Sequence, residues 1–70
     1  MTYKEYKKQV GVKLREARVK SGLSQVELGK KMGATFMTIH RCESGESSSL
    51  ETIWEMCEIL GVDIAEILKK

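Results

Sequence analysis

The chain has 70 residues, of which 41% are hydrophobic and 31% are charged. This length allows about one small domain, without room for an enzyme core and a separate substrate domain. No apolar run approaches the ~20 residues of a membrane span, and the N-terminal lysines have no signal-peptide core behind them. We therefore expect a single domain over residues 1–70, in the cytoplasm, with no membrane partner and no small-molecule substrate.

The charges are unevenly distributed along the chain. Residues 1–31 carry nine basic and three acidic side chains, a net charge of +6, whereas residues 32–70 carry three basic and seven acidic ones, a net charge of −4. This asymmetry predicts a basic face and an acidic face. A basic face is compatible with a polyanionic partner, and equally with a solvated lysine-rich helix.

The first of five helical patterns runs from Tyr3 to about Ser21, where Gly22 supplies a stop signal. Gly11 weakens its first two turns, since glycine costs about 1 kcal/mol in a helix interior. Its apolar side is formed by Tyr3, Tyr6, Val10, Leu14, Ala17 and Ser21.

Two short helices follow. Ser24 and Glu27 form a capping-box pattern at the start of the second helix, which ends at Gly33. Thr35 is expected to cap the third helix, over about residues 36–44. Together they predict a helix-turn-helix over about residues 25–44, whose second helix can enter a DNA major groove.

The fourth helix is predicted over residues 50–60, with Ser48 or Ser49 as its cap. Asp63 and Glu66 form a second capping pair, which starts a last short helix through Leu68. The expected core stripe of the fourth helix is Leu50, Ile53, Trp54, Cys57 and Leu60. Apolar residues off the stripes become candidates for a dimer interface where they stay exposed: Val12, Val19, Met56 and Ile59.

The two cysteines, Cys42 and Cys57, fall on apolar positions of helical patterns. We interpret them as free thiols that pack as small core hydrophobes. His40 near Cys42 does not supply the paired spacings and four ligands of a zinc site. The sequence also lacks a nucleophile–base–orienter set. We therefore expect no metal, no cofactor and no enzymatic activity.

Four segments share fixed spacings with one family: Gly22-Leu23-Ser24-Gln25-x-x-Leu28-Gly29-x-x-Met32-Gly33, Thr38-Ile39-x-Arg41-x-Glu43-x-Gly45, Ser49-Leu50-Glu51-Thr52-Ile53 and Leu60-Gly61-Val62-Asp63. Through them the chain resembles the Cro/C1-type helix-turn-helix family, also called XRE-like repressor domains. The resemblance covers about residues 11–68. It implies an all-α, compact five-helix bundle of the lambda-repressor-like type that binds double-stranded DNA.

The resemblance implies that the third helix reads bases in the major groove. The expected base-contacting residues are Thr35, Phe36, Met37, His40 and Arg41. Arginine bonds guanine O6 and N7 in a bidentate manner, although Arg41 also fits a phosphate contact or a solvated side chain. The family often has polar residues where this chain has Phe36 and Met37. This apolar pair fits a thymine methyl or a protein-binding patch. His40 fits a DNA contact or a solvated side chain.

Phosphate contacts are expected from Ser24, Gln25, Thr38, Ser44 and Ser47. The alternative for Gln25 is that it is an ordinary glutamine at the start of a helix. Thr38 faces sideways, where its side chain fits a contact with a base or with a phosphate. The resemblance also implies a structural ion pair between Arg18 and Glu43. Family members commonly have Lys or Arg in the loop after the third helix, where this chain has Glu46 and serines, so we expect weakened phosphate binding.

These observations predict a sequence-specific transcriptional regulator, and specifically a repressor of phage, mobile-element or controller type. One such motif touches few base pairs, so a homodimer reading two half-sites is expected. The alternative is a protein-interaction or antitoxin-like adaptor module on the same scaffold, which Phe36, Met37 and Glu46 would favour.

Overall fold

Five α-helices make up the regular structure of the chain in the ranges that the computed structural model describes, residues 1–46 and 49–70. They are α1 (Tyr3–Lys20), α2 (Gln25–Lys31), α3 (Phe36–Ser44), α4 (Leu50–Leu60) and α5 (Ile64–Leu68). The predicted all-α, five-helix architecture is confirmed. None of the described helices is long and apolar enough to cross a membrane.

Local capping determines where the helices begin. Ser24 Oγ accepts a hydrogen bond from the backbone N–H of Glu27, and Glu27 Oε1 accepts one from the N–H of Ser24, which is the predicted capping box of α2. Ser49 caps α4 through the N–H of Thr52. The other candidate for that cap, Ser48, lies outside the described residues.

Two capping predictions need correction. Thr35 takes the N-cap position of α3 with extended backbone angles, but its side chain makes no capping hydrogen bond. Asp63 caps α5 by accepting from the N–H of Ala65, two residues on, and not through a reciprocal pair with Glu66. In both cases the element begins where predicted, while the side-chain contact differs.

Every helix contributes side chains to one hydrophobic core. Its buried members are Val10, Leu14, Leu28, Ile39, Cys42, Ile53, Met56, Cys57 and Ile67. Complete burial of a side chain such as Leu14 or Ile39 stabilises the fold by about 1.5–3 kcal/mol. The C-terminus is tied to α1, because Tyr6 Oη donates to the carbonyl of Leu68 and Lys13 Nζ donates to that of Lys69.

The apolar stripe predicted for α4 is rotated from the face that α4 buries. Leu50 and Trp54 are 64% and 51% exposed, whereas Met56, expected off the stripe, is completely buried. The buried arc is centred on Ile53, Met56 and Cys57, since α1, α2 and α5 pack against that side. Met56 is therefore excluded from a dimer interface.

Two further expectations about apolar positions have different outcomes. Tyr3, placed on the apolar side of α1, is 72% exposed, because the first turn of the helix extends beyond the core. Val12, Val19 and Ile59 remain exposed at 52%, 59% and 36%, so each stays a candidate for an interface.

The turn between α2 and α3 brings these helices into close contact. Gly33 has a φ of +68°, a left-handed conformation that suits glycine. A Cβ added to Gly29 would lie 3.0 Å from the carbonyl carbon of Thr35, and the N–H of Ala34 donates to the carbonyl of Gly29 at 2.8 Å. This turn holds α3 with its inner side against α1 and α2.

Candidate nucleic-acid interface

The outward side of α3 is left in contact with solvent. Ile39 and Cys42 point into the core, so the helical period of 3.6 residues directs the remaining positions outward. We call the exposed set the α3 face: Phe36, Met37, His40, Arg41 and Ser44. All five are among the residues that the sequence analysis expects to contact DNA.

The start of the α3 face is apolar. Phe36 and Met37 are 48% and 39% exposed, and so form an uncovered hydrophobic pair at the first turn. Thr35 precedes them, also exposed, and its hydroxyl is not used to cap the helix. Thr38 is half-buried at the side of the helix. The chain thus presents two large apolar side chains and an uncommitted hydroxyl at one edge of the α3 face.

An ion pair between Arg18 and Glu43 joins α1 to α3 beneath this face. Arg18 Nε donates to Glu43 Oε2 at 2.6 Å, and Arg18 Nη2 donates to Glu43 Oε1 at 3.1 Å. The side chains are 11% and 4% exposed. Arg18 Nη1 also donates to the carbonyl of Leu23 at 2.8 Å, so the same guanidinium fixes the turn that leads to α2. A bidentate pair of this kind fixes orientation as well as charge.

Gln25 has a structural contact that the sequence does not reveal. Its Nε2 donates to Glu43 Oε1 at 3.1 Å, so three donor groups from Arg18 and Gln25 surround one carboxylate. No local signal could have indicated this bond, because the partners are 18 residues apart on different helices. The remaining amide hydrogen and the amide oxygen of Gln25 stay available for another ligand.

An open basin lies between α1, α2 and α3, next to the α3 face. Its volume is about 640 Å³. The Arg18–Glu43 pair contributes to its lining, together with Arg15, Ser24, Gln25, Val26, His40 and Ser44. Four of the residues predicted to contact DNA are therefore brought together in one basin. Arg15 was not among the predicted contacts, although its spacing of three residues from Arg18 could have indicated that both lie on the same side of α1.

The segment after α3 is polar and carries a negative charge. Ser44 Oγ lies within hydrogen-bonding distance of the carbonyl of Arg41, at 3.1 Å, and of Glu46 Oε2, at 3.4 Å. The Ser44 hydroxyl is thus shared with local acceptors, one of them the exposed carboxylate of Glu46. Ser47, a predicted phosphate contact, lies outside the described residues.

Both cysteines lie in the core, as predicted. Cys42 and Cys57 are buried free thiols. Burial raises the pKa of each thiol, and the charge of Glu43 raises that of Cys42 further. Among the described residues, no group of three or more His, Cys, Asp and Glu side chains is arranged to hold a metal ion.

Comparisons with known proteins agree with the geometry of α2 and α3. A family model described as helix-turn-helix matches residues 14–67. A crystal structure of the DNA-binding domain of BldD has a TM-score of 0.83 and is 30% identical in sequence, and the match covers 97% of this chain and 99% of that one. No curated protein sequence matches the chain. The matched region includes α2, the turn and α3, and therefore the basin and the α3 face.

Proposed function

Because the chain belongs to the Cro/C1-type helix-turn-helix family, we propose that it is a transcription regulator that binds a specific sequence of double-stranded DNA. In this proposal α3 enters the major groove and its outward side reads the base edges. The observation that carries the proposal is the exposure of the α3 face on a helix whose inner side packs against α1 and α2. A major groove about 12 Å wide admits such a helix.

Arg41 is the principal base-reading residue in this proposal. It is exposed on the α3 face, one turn after Met37. A guanidinium donates two hydrogen bonds to guanine O6 and N7, which discriminates against other bases by about 1–3 kcal/mol. Phe36 and Met37 contact thymine methyl groups, and Thr35 and His40 add polar contacts at neighbouring base pairs. Their exposure supports these roles.

Phosphate contacts position α3 without reading sequence. We assign them to Ser24, Gln25, Thr38 and Ser44, together with Ser47. The basin is lined by Ser24 and Gln25 and reaches the α3 face at Ser44, which supports a backbone contact on this side of the helix. Gln25 then has two roles, since the amide that donates to Glu43 keeps its second hydrogen for a phosphate oxygen.

We further propose that the regulator acts as a homodimer and represses transcription. One helix-turn-helix contacts few base pairs, and two copies related by a two-fold axis read half-sites about one helical turn apart. Exposed apolar residues outside the α3 face, such as Val12, Val19 and Ile59, supply surface for self-association. A repressor needs only to occupy a site that overlaps a promoter.

Selection of bound duplexes from a random DNA library tests this function. We expect a consensus with two-fold symmetry that includes a G·C pair in each half-site. Placing that consensus over a promoter should lower expression of a reporter when the protein is present. A library that yields no enriched sequence at low salt would contradict the proposal.

Two variants separate base reading from backbone contact. Arg41→Ala should relax specificity at the G·C pair, whereas Gln25→Ala should weaken binding to all duplexes by the same factor. Because Gln25 also bonds Glu43, a thermal melt of Gln25→Ala must accompany its binding curve. Equal losses on every sequence for both variants would contradict the assigned roles.

The exposed pair Phe36 and Met37 favours a second candidate function, a protein-interaction or antitoxin-like adaptor. Apolar pairs of this size are typical of protein-binding patches as well as of groove contacts. The library selection separates the two functions. An adaptor would enrich no duplex, and would bind a protein partner that protects Phe36 and is lost in Phe36→Ser.

A further inference from the structure

We propose that Arg15 binds a phosphate of the DNA backbone at the basin between α1, α2 and α3. This inference rests on the proposed DNA-binding function and adds a residue on α1 to it. The first observation is the position of Arg15. Arg15 lines the same basin as Ser24 and His40, so a guanidinium from α1, the hydroxyl of the α2 N-cap and an imidazole from α3 all border it.

The second observation is that the other charges of the basin are already committed. Arg18 uses three of its five N–H groups to donate hydrogen bonds to Glu43 and to the carbonyl of Leu23. The Glu43 side chain is only 4% exposed and is neutralised by Arg18, so it repels an incoming anion little. Arg15 is exposed, and among the described residues it makes no ion pair. It is therefore the cation of the basin that is available to a ligand.

The Ser24 hydroxyl complements this cation. Ser24 Oγ accepts a hydrogen bond from the N–H of Glu27 and keeps its own proton available to donate. A phosphate oxygen accepts from a guanidinium and a hydroxyl at once, and charge-assisted bonds of this kind are stronger than neutral ones. The basin also adjoins the α3 face through His40 and Ser44, so a duplex seated on that face passes its backbone close by.

The third observation is the charge of the segment that follows α3. Glu46 is exposed beside Ser44 and repels phosphate there. A cation elsewhere on the surface would supply part of the backbone binding that a basic loop would otherwise provide. Arg15 is such a cation, and it lies on the helix that carries much of the positive charge of the chain.

The test compares Arg15→Gln with Lys20→Gln, a matched loss of one positive charge from α1 at an exposed position outside the basin. Each variant is titrated with the selected duplex and with an unrelated duplex at several NaCl concentrations. Arg15→Gln should weaken both duplexes about tenfold, as loss of a charge-assisted bond predicts. Its slope of log K against log salt should be about 0.9 less negative than that of the wild type. Lys20→Gln should change the affinity and the salt slope much less.

Two further measurements separate contact from a change in folding. Arg15→Lys keeps the charge and should retain the salt slope of the wild type. In the unmodified protein, the Arg15 Nε–H resonance should shift on addition of the duplex, and inorganic phosphate at the same ionic strength should shift it little, since DNA presents the phosphate in a fixed position.

Three outcomes would overturn the inference. If the wild type binds the duplex and Arg15→Gln binds with unchanged affinity and slope, the inference fails while the proposed function stands. Equal losses in Arg15→Gln and Lys20→Gln would show a general charge effect instead of a contact. A wild type that binds no duplex would remove the proposed function and this inference together.

Discussion

Glu43 joins more parts of the molecule than any other polar residue on α3. Its carboxylate accepts from Arg18 and Gln25, so α1, α2 and α3 meet at one side chain that is 4% exposed. Burial of two charges is costly, and the attraction between them offsets this cost only when both partners are present. The pair is therefore sensitive to loss of one partner and tolerant of replacement of both.

We predict that Glu43→Ala lowers the free energy of unfolding by about 3–5 kcal/mol, because it leaves the Arg18 guanidinium buried without its counter-charge. Urea denaturation followed by circular dichroism measures the change. Glu58→Ala, at an exposed site of α4, should stay within about 0.5 kcal/mol of the wild type. The double variant Arg18→Met, Glu43→Leu should lose less stability than the sum of the losses in the single variants Arg18→Met and Glu43→Leu. A Glu43→Ala variant as stable as Glu58→Ala would contradict this account.

Because of the capping carboxylates of Glu5 and Glu27, the stability of the fold depends on pH in the acid range. Hydrogen bonds from the backbone and side chain of Thr2 lower the pKa of Glu5, and those from Ser24 lower the pKa of Glu27. A lowered pKa in the folded state means that the ionised carboxylate stabilises the fold above its usual pKa of 4.5. This contribution is lost as the pH falls below that value and through the lowered pKa.

We therefore predict that the urea midpoint of the wild type falls as the pH is lowered below 4.5, and that the double variant Glu5→Ala, Glu27→Ala shows a weaker dependence in the same acid range. The variant Glu51→Ala, Glu58→Ala is the matched control, since it removes two exposed carboxylates of α4. A pH dependence that is unchanged in the capping variant would show that other groups control acid unfolding.

At the scale of the helices, the crossing of α1 and α3 depends on Gly11. A Cβ at this position would lie 2.4 Å from the carbonyl oxygen of Glu43 and 2.8 Å from that of Cys42. The nearest atoms all belong to the α3 backbone, so no flexible side chain could move aside. The glycine that weakens α1 as an isolated helix thus permits the contact that orients α3.

We predict that Gly11→Ala destabilises the domain by more than about 2 kcal/mol, even though alanine favours helix formation. Gly22→Ala is the comparison, because its Cβ would meet nothing within 4 Å and its cost is only the strain of a φ of +77°, about 1–2 kcal/mol. Thermal melts of both variants measure the difference. A Gly11→Ala variant more stable than Gly22→Ala would contradict the close crossing.

The sequence predicts the helices better than it predicts their faces. Ser24 and Ser49 accept hydrogen bonds from backbone N–H groups three residues further along the chain. The local sequence is therefore sufficient to predict where α2 and α4 begin. Burial of Met56 instead of Trp54 depends on which helices pack against α4, and no local pattern contains that information. The outward side of α3 was predictable because Ile39 and Cys42 determine its phase. The bond from Gln25 to Glu43 was not, since it joins separate helices.

At the scale of the whole molecule, charge separates the two halves of the chain. The first 31 residues carry a net charge of +6, and the remainder carries −4. Proteins that bind DNA gain affinity from cations that displace counterions from phosphates, whatever the sequence. Glu46 is an exposed acidic residue adjoining the α3 face, and it opposes this gain. Under the proposed function, the chain would rely more on the α3 face, and less on backbone attraction, than a chain with a basic loop would.

Reversal of the charge at position 46 should strengthen DNA binding without improving its specificity. We predict that Glu46→Lys raises affinity for the selected and the unrelated duplex alike, by about tenfold at low salt, and makes the slope of log K against log salt about 0.9 steeper. Glu58→Lys changes the charge by the same amount at an exposed site on α4 and should have a much smaller effect. Fluorescence anisotropy titrations at several NaCl concentrations measure both quantities. If Glu58→Lys matched Glu46→Lys, net charge alone would control affinity, and the DNA backbone would not pass beside the end of α3.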